Sequence, residues 1–336
     1  MEDITENSAL EESVQPVASP KVKTKRSSIT ATWERPAAIT VLFMFLISMA
    51  GFMIIGPVIG FFLSLPFFDG SMLDYADKLS NPVGHPDVKI PYFIIQGSAT
   101  FFGLVCVPAL YYFGVERKDP VALLKPKLAY GVMLLVTAAI VIFFIATNSV
   151  IVEWNAGLSF PEFMRGFETW AREMEARATE ITRFLTVFNS PGEFIFAVIV
   201  IAVFAGIGEE LVFRGMLQPQ LHRATGNIHV AIWTSAILFS AIHLQFFGFV
   251  PRVLLGALFG YLYYWSGSLL IPMFAHFVNN GFSVLMMYLN QRGVIDIDID
   301  TPESAPLPVV AIFTVLTLGL LYYFKKFYET RNTPSV

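Results

Sequence analysis

Eight long apolar stretches restrict the fold of this chain more than any other feature. A helix needs about 20 mostly apolar residues to cross about 30 Å of hydrocarbon. The chain has 336 residues, of which 55% are hydrophobic and only 14% are charged, so such stretches indicate an integral membrane protein. The sequence predicts an all-α, polytopic transmembrane helical bundle of about eight spans. They are residues 37–65, 91–114, 128–152, 193–215, 228–248, 251–266, 268–290 and 306–324.

The fifth to seventh stretches are joined by very short connections, which predict a tight antiparallel bundle in which one or two helices do not fully cross. Two pairs of glycines four residues apart, Gly56 with Gly60 and Gly256 with Gly260, are spaced for close helix packing. We assign these glycines a packing role only.

Positive charge in the loops predicts the orientation of the bundle, because lysine and arginine collect on the cytoplasmic side. The alternate loops are acidic, as in DIDIDTPE at 296–303. Eight spans in a plasma (inner) membrane, with both termini cytoplasmic, fit this pattern, and Arg252 is its one exception. The basic residues of the three regions predicted to be cytoplasmic are Lys21, Lys23, Lys25, Arg26, Arg35, Arg117, Lys118, Lys125, Lys127, Lys325, Lys326 and Arg331.

Composition also argues against some partners. The formal net charge is −4 and no basic block is interleaved with aromatic residues, so we expect no nucleic-acid partner. The single cysteine, Cys106, excludes an intramolecular disulfide. The predicted organisation is a disordered cytoplasmic tail at 1–30, N-terminal spans with a polar loop at 31–192, a helical core at 193–290, and a last span with a cytoplasmic tail at 291–336.

The polar loop contains a predicted amphipathic helix in its 159–188 segment. Apolar residues recur there at helical spacing between charged ones. Such a helix lies on the outer surface or over the bundle, or it is a solvated linker without a functional role. Its apolar residues are Phe163, Phe167, Trp170, Met174, Ile181 and Leu185.

Ionisable residues inside apolar helices are candidates for function, because placing charge in a bilayer costs at least about 2.5–3.5 kcal/mol. Residues four apart on a helix share a face, whereas adjacent residues diverge by about 100°. Glu210 is therefore expected to pair with Arg214, leaving Glu209 to point elsewhere. The same spacing places Phe239 beneath His243, and His276 on one face with Asn280.

A carboxylate, two imidazoles and an amide in one apolar bundle suit several chemistries. Carboxylate and imidazole can take a proton from water, while an imidazole and an amide donate to an oxyanion, as hydrolysis of a carbonyl compound needs. Glu209, His243 and His276 could instead hold a divalent metal such as zinc. A proton or ion pathway and a purely structural polar network use the same residue types.

The ordered motifs resemble those of the CPBP family of intramembrane proteases, also called the Abi or CAAX-protease family. The resemblance covers roughly residues 193–290 and rests on three motifs on successive apolar helices. They are Glu209-Glu210-x-x-x-Arg214, Phe239-x-x-x-His243 and His276-x-x-x-Asn280.

This resemblance implies an intramembrane endopeptidase in which Glu209 and His243 activate water. Its substrate would be a peptide or a membrane protein, with or without a lipid modification, reached within membrane lipid. No cofactor is favoured, and a metal would take Glu209, His243 and His276. A catalytically idle scaffold or immunity protein of the same fold is the alternative. The other implied roles are structural for Glu210, Arg214 and Phe239, and oxyanion binding for His276 and Asn280.

Overall fold

Ten helices form the part of the chain that the computed structural model describes, residues 35–128, 130–296 and 303–332. These residues contain no strand, so the predicted all-α bundle is confirmed, while the predicted tail at 1–30 lies outside them. Short 3₁₀ turns aside, the helices are α1 Ala37–Phe67, α2 Met72–Ser80, α3 Pro86–Gly114, α4 Gly131–Ala156, α5 Arg165–Thr186, α6 Pro191–Thr225, α7 Ile228–Ala241, α8 Phe249–Ser266, α9 Leu270–Gln291 and α10 Leu307–Asn332.

Seven helices of the described residues are long and apolar enough to cross a membrane. The remaining apolar stretch, predicted at 228–248, is helical only over α7, which has 14 residues. At 1.5 Å per residue α7 is roughly 21 Å long, shorter than the hydrocarbon core. The sequence pattern did not predict the end of α7, because the turn that follows it, 242–248, is also apolar.

Although α7 is short, it reverses the direction of the chain as a full span does. The α6 helix runs parallel to α8, because Arg214 and Gln218 donate to the carbonyls of Gly256 and Gly260. The α7 helix runs antiparallel to α8, since Gly256 lies against Ala236 and Gly260 against Ile232. The α6, α7 and α8 helices therefore alternate in direction, and the packing role predicted for this glycine pair agrees with these contacts.

The first glycine pair lies where α1 and α3 pack most closely. A Cβ placed on Gly56 would lie 2.6 Å from Ala99 Cα, and one on Gly60 would lie 2.6 Å from Ile95 Cα. One turn earlier, Gly51 faces Gly103 in the same way. The two backbones touch here because glycine has no side chain to separate them.

The fourth span, α6, extends well beyond the start of α8. Because Arg214 is level with Gly256 and both helices rise equally, Arg252 in the first turn of α8 is level with Glu210. Residues 191–208 of α6 continue past that level by roughly 27 Å. A space is therefore left over the turn between α7 and α8.

The amphipathic helix α5 fills that space. Near its start, the Phe167 ring packs on Phe246 of the turn, with centroids 5.4 Å apart. Beyond its end, the backbone N–H of Phe188 donates to Gln291 at the far end of α9, 2.8 Å away. The helix thus leans from the α7–α8 turn to the ends of the longer spans and covers the bundle, as one of the two predicted alternatives proposes.

Segments of π-helix interrupt α1, α3 and α6, at a similar depth in the helical bundle. Such turns are uncommon and concentrate at functional sites, because they shift side chains relative to the regular helical register. Two of them flank Glu209 and Glu210 on α6. The segments are Gly51–Ile55, Ala99–Cys106, Val198–Phe204 and Leu211–Leu217.

We expect Gly56→Ala to destabilise the protein by about 1–3 kcal/mol, because the added methyl group meets the α3 backbone, which cannot move aside as a flexible side chain can. The thermal unfolding midpoint in detergent measures this change. Gly319→Ala in α10 is the control, since a Cβ there meets no atom within 4 Å. An unchanged midpoint for Gly56→Ala would contradict the packing assignment.

Candidate active site

A buried ion pair lies at the centre of the site. Arg214 Nη1 donates to Glu210 Oε1 at 2.6 Å, and Arg214 Nη2 donates to the Gly256 carbonyl at 2.9 Å. The side chains of Glu210 and Arg214 are 0% and 1% exposed. His276 Nδ1 lies 2.8 Å from the same carboxylate oxygen. The pair therefore joins α6 to α8 through Arg214 and to α9 through Glu210.

Aromatic rings enclose this pair. The Arg214 guanidinium lies over the Phe239 ring at 4.7 Å and over the Phe259 ring at 5.5 Å from their centroids. The Phe239 ring also contacts both candidate histidines, with centroid distances of 5.2 Å to His243 and 6.0 Å to His276. Phe239 thus separates the two imidazoles and keeps water from the ion pair.

Glu209 points away from the pair, as the adjacent-residue geometry predicts. Its side chain is 16% exposed, and Oε2 lies 3.8 Å from His276 Nε2. Within the described residues its carboxylate accepts no hydrogen bond. Glu209 is therefore the carboxylate of the dyad that is free to act on another molecule.

His243 lies just beyond the end of α7, in the turn, and not within a helix as the sequence pattern predicts. Its Nδ1 lies 2.8 Å from the Phe239 carbonyl oxygen, which fixes the proton on Nδ1 and leaves Nε2 as the acceptor. The next residue, Leu244, has φ +54°, a left-handed conformation that is costly for a side chain with a Cβ. This strained residue lies where the chain turns sharply away from the site.

Asn280 lies on α9 facing α6. Its Nδ2 donates to the Ile201 carbonyl at 2.9 Å, and its Oδ1 accepts from Asn279 Nδ2 at 3.0 Å. The Ile201 carbonyl belongs to a π-helical turn of α6. The amide therefore fastens α9 to α6, and one N–H of the same Nδ2 is left for the oxyanion role implied by the resemblance.

The contacts divide the predicted residues into two groups. Glu210 Oε1, Arg214 and the Phe239 ring contact one another within the bundle. Glu209, His243 Nε2 and His276 Nε2 carry unused hydrogen-bonding capacity, as a site that activates water requires. Among the described residues, no three histidine, cysteine, aspartate or glutamate side chains are grouped to hold a metal ion. The set Glu209, His243 and His276 thus does not fit a metal in this arrangement.

A second polar cluster beside the site was not predicted from the sequence. Gln245 in the turn accepts from Arg252 Nη2 at 3.0 Å and donates to Glu175 Oε1 of α5 at 3.2 Å. Burial raises the pKa of the Glu175 carboxyl, and the positive charge of Arg252 opposes that rise. Arg252 was identifiable only as the basic residue that broke the charge pattern of the loops.

Fold and site together define a polytopic helical membrane protein with an acid and imidazole site within its bundle. A family model described as type II CAAX prenyl endopeptidase Rce1-like matches residues 191–282, which contain all three motifs. This segment is similar to the CAAX-protease family, as the resemblance drawn from the motifs predicts.

Two curated proteins are similar to parts of the chain. It is 31% identical over 85 residues to the uncharacterized protein YpbD of Bacillus subtilis (strain 168). It is 30% identical over 115 residues to CAAX prenyl protease 2 of Arabidopsis thaliana. The alignments cover 24% and 28% of this chain, and 40% and 36% of the two relatives. No solved structure matches the chain.

We expect loss of the cation that pairs with Glu210 to destabilise the protein, and loss of the charge on Glu209 to have little effect on stability. Arg214→Met leaves the Glu210 carboxylate buried without its cation, which costs about 3–5 kcal/mol. Glu209→Gln removes no hydrogen bond within the protein, so its thermal unfolding midpoint in detergent should stay within a few degrees of the parent. Equal losses in the two purified variants would show that Glu209 is as structural as Glu210.

Proposed function

We propose that the chain is an intramembrane endopeptidase of the CAAX-protease type, in which Glu209 and His243 activate a water molecule. The observation that carries the proposal is the unused hydrogen-bonding capacity of Glu209, His243 Nε2 and His276 Nε2. All three residues lie inside the segment 191–282 that matches the family model. In a purely structural network we would expect these groups to bond to one another, as Glu210 Oε1 and Arg214 Nη1 do.

In the proposed reaction, Glu209 and His243 Nε2 take a proton from water as its oxygen attacks the scissile carbonyl carbon. His276 donates from Nε2 to the resulting oxyanion. Since its Nδ1 already donates to Glu210, this role requires a proton on each ring nitrogen. Glu210 Oε1 lies 2.8 Å from Nδ1, and Glu209 Oε2 lies 3.8 Å from Nε2. The proton then passes to the leaving amine, and the peptide bond breaks. No step uses a metal ion.

The ion pair has a positioning role in this scheme. The Glu210 carboxylate fixes the ring of His276, and Arg214 holds that carboxylate in place. Fixed donors stabilise a transition-state charge better than mobile ones, since they need no reorganisation during the reaction.

The cleft between α3 and α6 supports an apolar substrate. It is a cavity of about 190 Å³ lined almost entirely by apolar side chains, Phe101 and Phe204 among them. Phe204 lies one to two turns from Glu209 on the same helix. We propose that an apolar or lipid-modified tail reaches the site from the side, between these helices.

We expect Glu209→Gln and His243→Ala to lower proteolysis by about 10²–10⁴-fold, because each removes a group that handles the proton. The substrate is a fluorescent peptide with a farnesylated cysteine and three following residues, presented to the purified protein in lipid nanodiscs. Glu180→Gln and His222→Ala change exposed residues of the same types and should leave the rate unchanged.

We also expect the parent protein to retain its rate in a metal chelator. An idle scaffold would cleave nothing under any of these conditions, and a rate restored only by added zinc would overturn the metal-free scheme.

We propose that both termini are cytoplasmic and that the site opens toward the cytoplasm, since α5 covers its other end. Single cysteines at Ser27, Asp77, Asp298 and Thr333, in a Cys106→Ala background, test the orientation with a membrane-impermeant thiol reagent on intact cells. Labelling is expected at positions 77 and 298 only. The reverse pattern would direct the site outward and remove the argument for a cytoplasmic substrate.

A further inference from the structure

Arg252 is a partly buried cation beside the site, and its hydrogen-bonding capacity is only partly used. Its Nη2 donates to Gln245 Oε1, while its Nη1 is buried and has no hydrogen-bond partner among the described residues. In Arg214, by contrast, both terminal nitrogens are bonded. The free edge of Arg252 is thus not explained by the needs of the fold.

The surroundings of Arg252 hold the guanidinium in place without neutralising it. Its charge interacts with those of Glu209 and Glu175, but in the described part of the chain neither carboxylate forms an ion pair with it. Gln245 bridges it to Glu175, and Gly248 leaves room for it, since a Cβ there would lie 3.0 Å from Nη2. A cationic side chain with a buried and unbonded Nη1 favours an anion from a bound molecule.

The position of Arg252 restricts what that anion is. It lies at the depth of Glu209 and Glu210, so the anion would bind within a few residues of the scissile bond, at about 3.3–3.6 Å per extended residue. Behind it, the turn 242–248 packs on α5, with Phe246 against Phe167 and Gln245 bonded to Glu175. A bound peptide that reaches Arg252 meets these contacts, which favour a chain that ends there.

We propose that Arg252 binds the free C-terminal carboxylate of the substrate and so sets which peptide bond reaches Glu209. A planar guanidinium matches a carboxylate with parallel hydrogen bonds, and capture of a terminal carboxylate is a common mode of peptide recognition. The inference rests on the proposed peptidase function and makes Arg252 a specificity-determining residue of that site.

Two fluorescent farnesylated peptides that differ only in a C-terminal acid or amide test the proposal. The parent protein should cleave the acid with a kcat/KM at least about tenfold higher, mainly through KM, because a charged hydrogen bond is lost in the amide. Arg252→Gln should bring the two peptides to similar kcat/KM values, and Arg252→Lys should keep part of the preference. Arg172→Gln, which changes an arginine packed over Phe247, should leave the preference intact.

A binding measurement makes the test independent of cleavage. In Glu209→Gln protein, fluorescence anisotropy should give tighter binding of the acid than of the amide, and the Glu209→Gln/Arg252→Gln double variant should bind both alike.

Equal binding of the two peptides by the Glu209→Gln protein overturns the inference. An Arg252→Gln variant whose kcat falls equally for the acid and the amide overturns it as well. Should Arg252→Gln fail to fold, an acid preference unchanged in Arg252→Lys overturns it and a reduced one supports it. Absence of cleavage in the parent refutes only the proposed function.

Discussion

The buried pair of Glu210 and Arg214 is the interaction on which the rest of the site depends. Removing two charges from water is costly, and only close mutual contact with further hydrogen bonds offsets that cost. Here the Gly256 carbonyl and His276 supply those bonds, so α8 and α9 are drawn to fixed positions against α6. The ion pair consequently orients an imidazole while Glu209, one residue earlier, stays available.

The helices around this ion pair supply a hydrogen-bond acceptor for Arg214 and aromatic rings that cover it. Gly256 brings the α8 backbone close enough for its carbonyl to meet Arg214, and a Cβ there would lie 3.2 Å from Nη2. Phe239 and Phe259 cover the guanidinium and exclude water, which strengthens the charge interactions inside. The short α7 ends at this depth, so His243 reaches the site from a turn.

The offset between long and short helices also explains the amphipathic helix. Because α6 and α9 extend past the α7–α8 turn, a polar surface would otherwise be open on that side. The α5 helix covers it with Phe167 against Phe246, and Glu175 reaches Gln245 beside the site. The segment that the sequence predicts either to lie over the bundle or to be a solvated linker thus packs beside the candidate active site.

The sequence by itself determined the helical membrane class, the motif residues and the pairing of Glu210 with Arg214, because apolar length and four-residue spacing are local properties. It also predicted that Glu209 diverges from that pair. The end of α7, the packing of α5 over the site and the cluster around Arg252 were decided only by the tertiary structure. They depend on relative helix depth, and Arg252 meets Gln245 and Glu175 through contacts between segments whose offset no local pattern encodes.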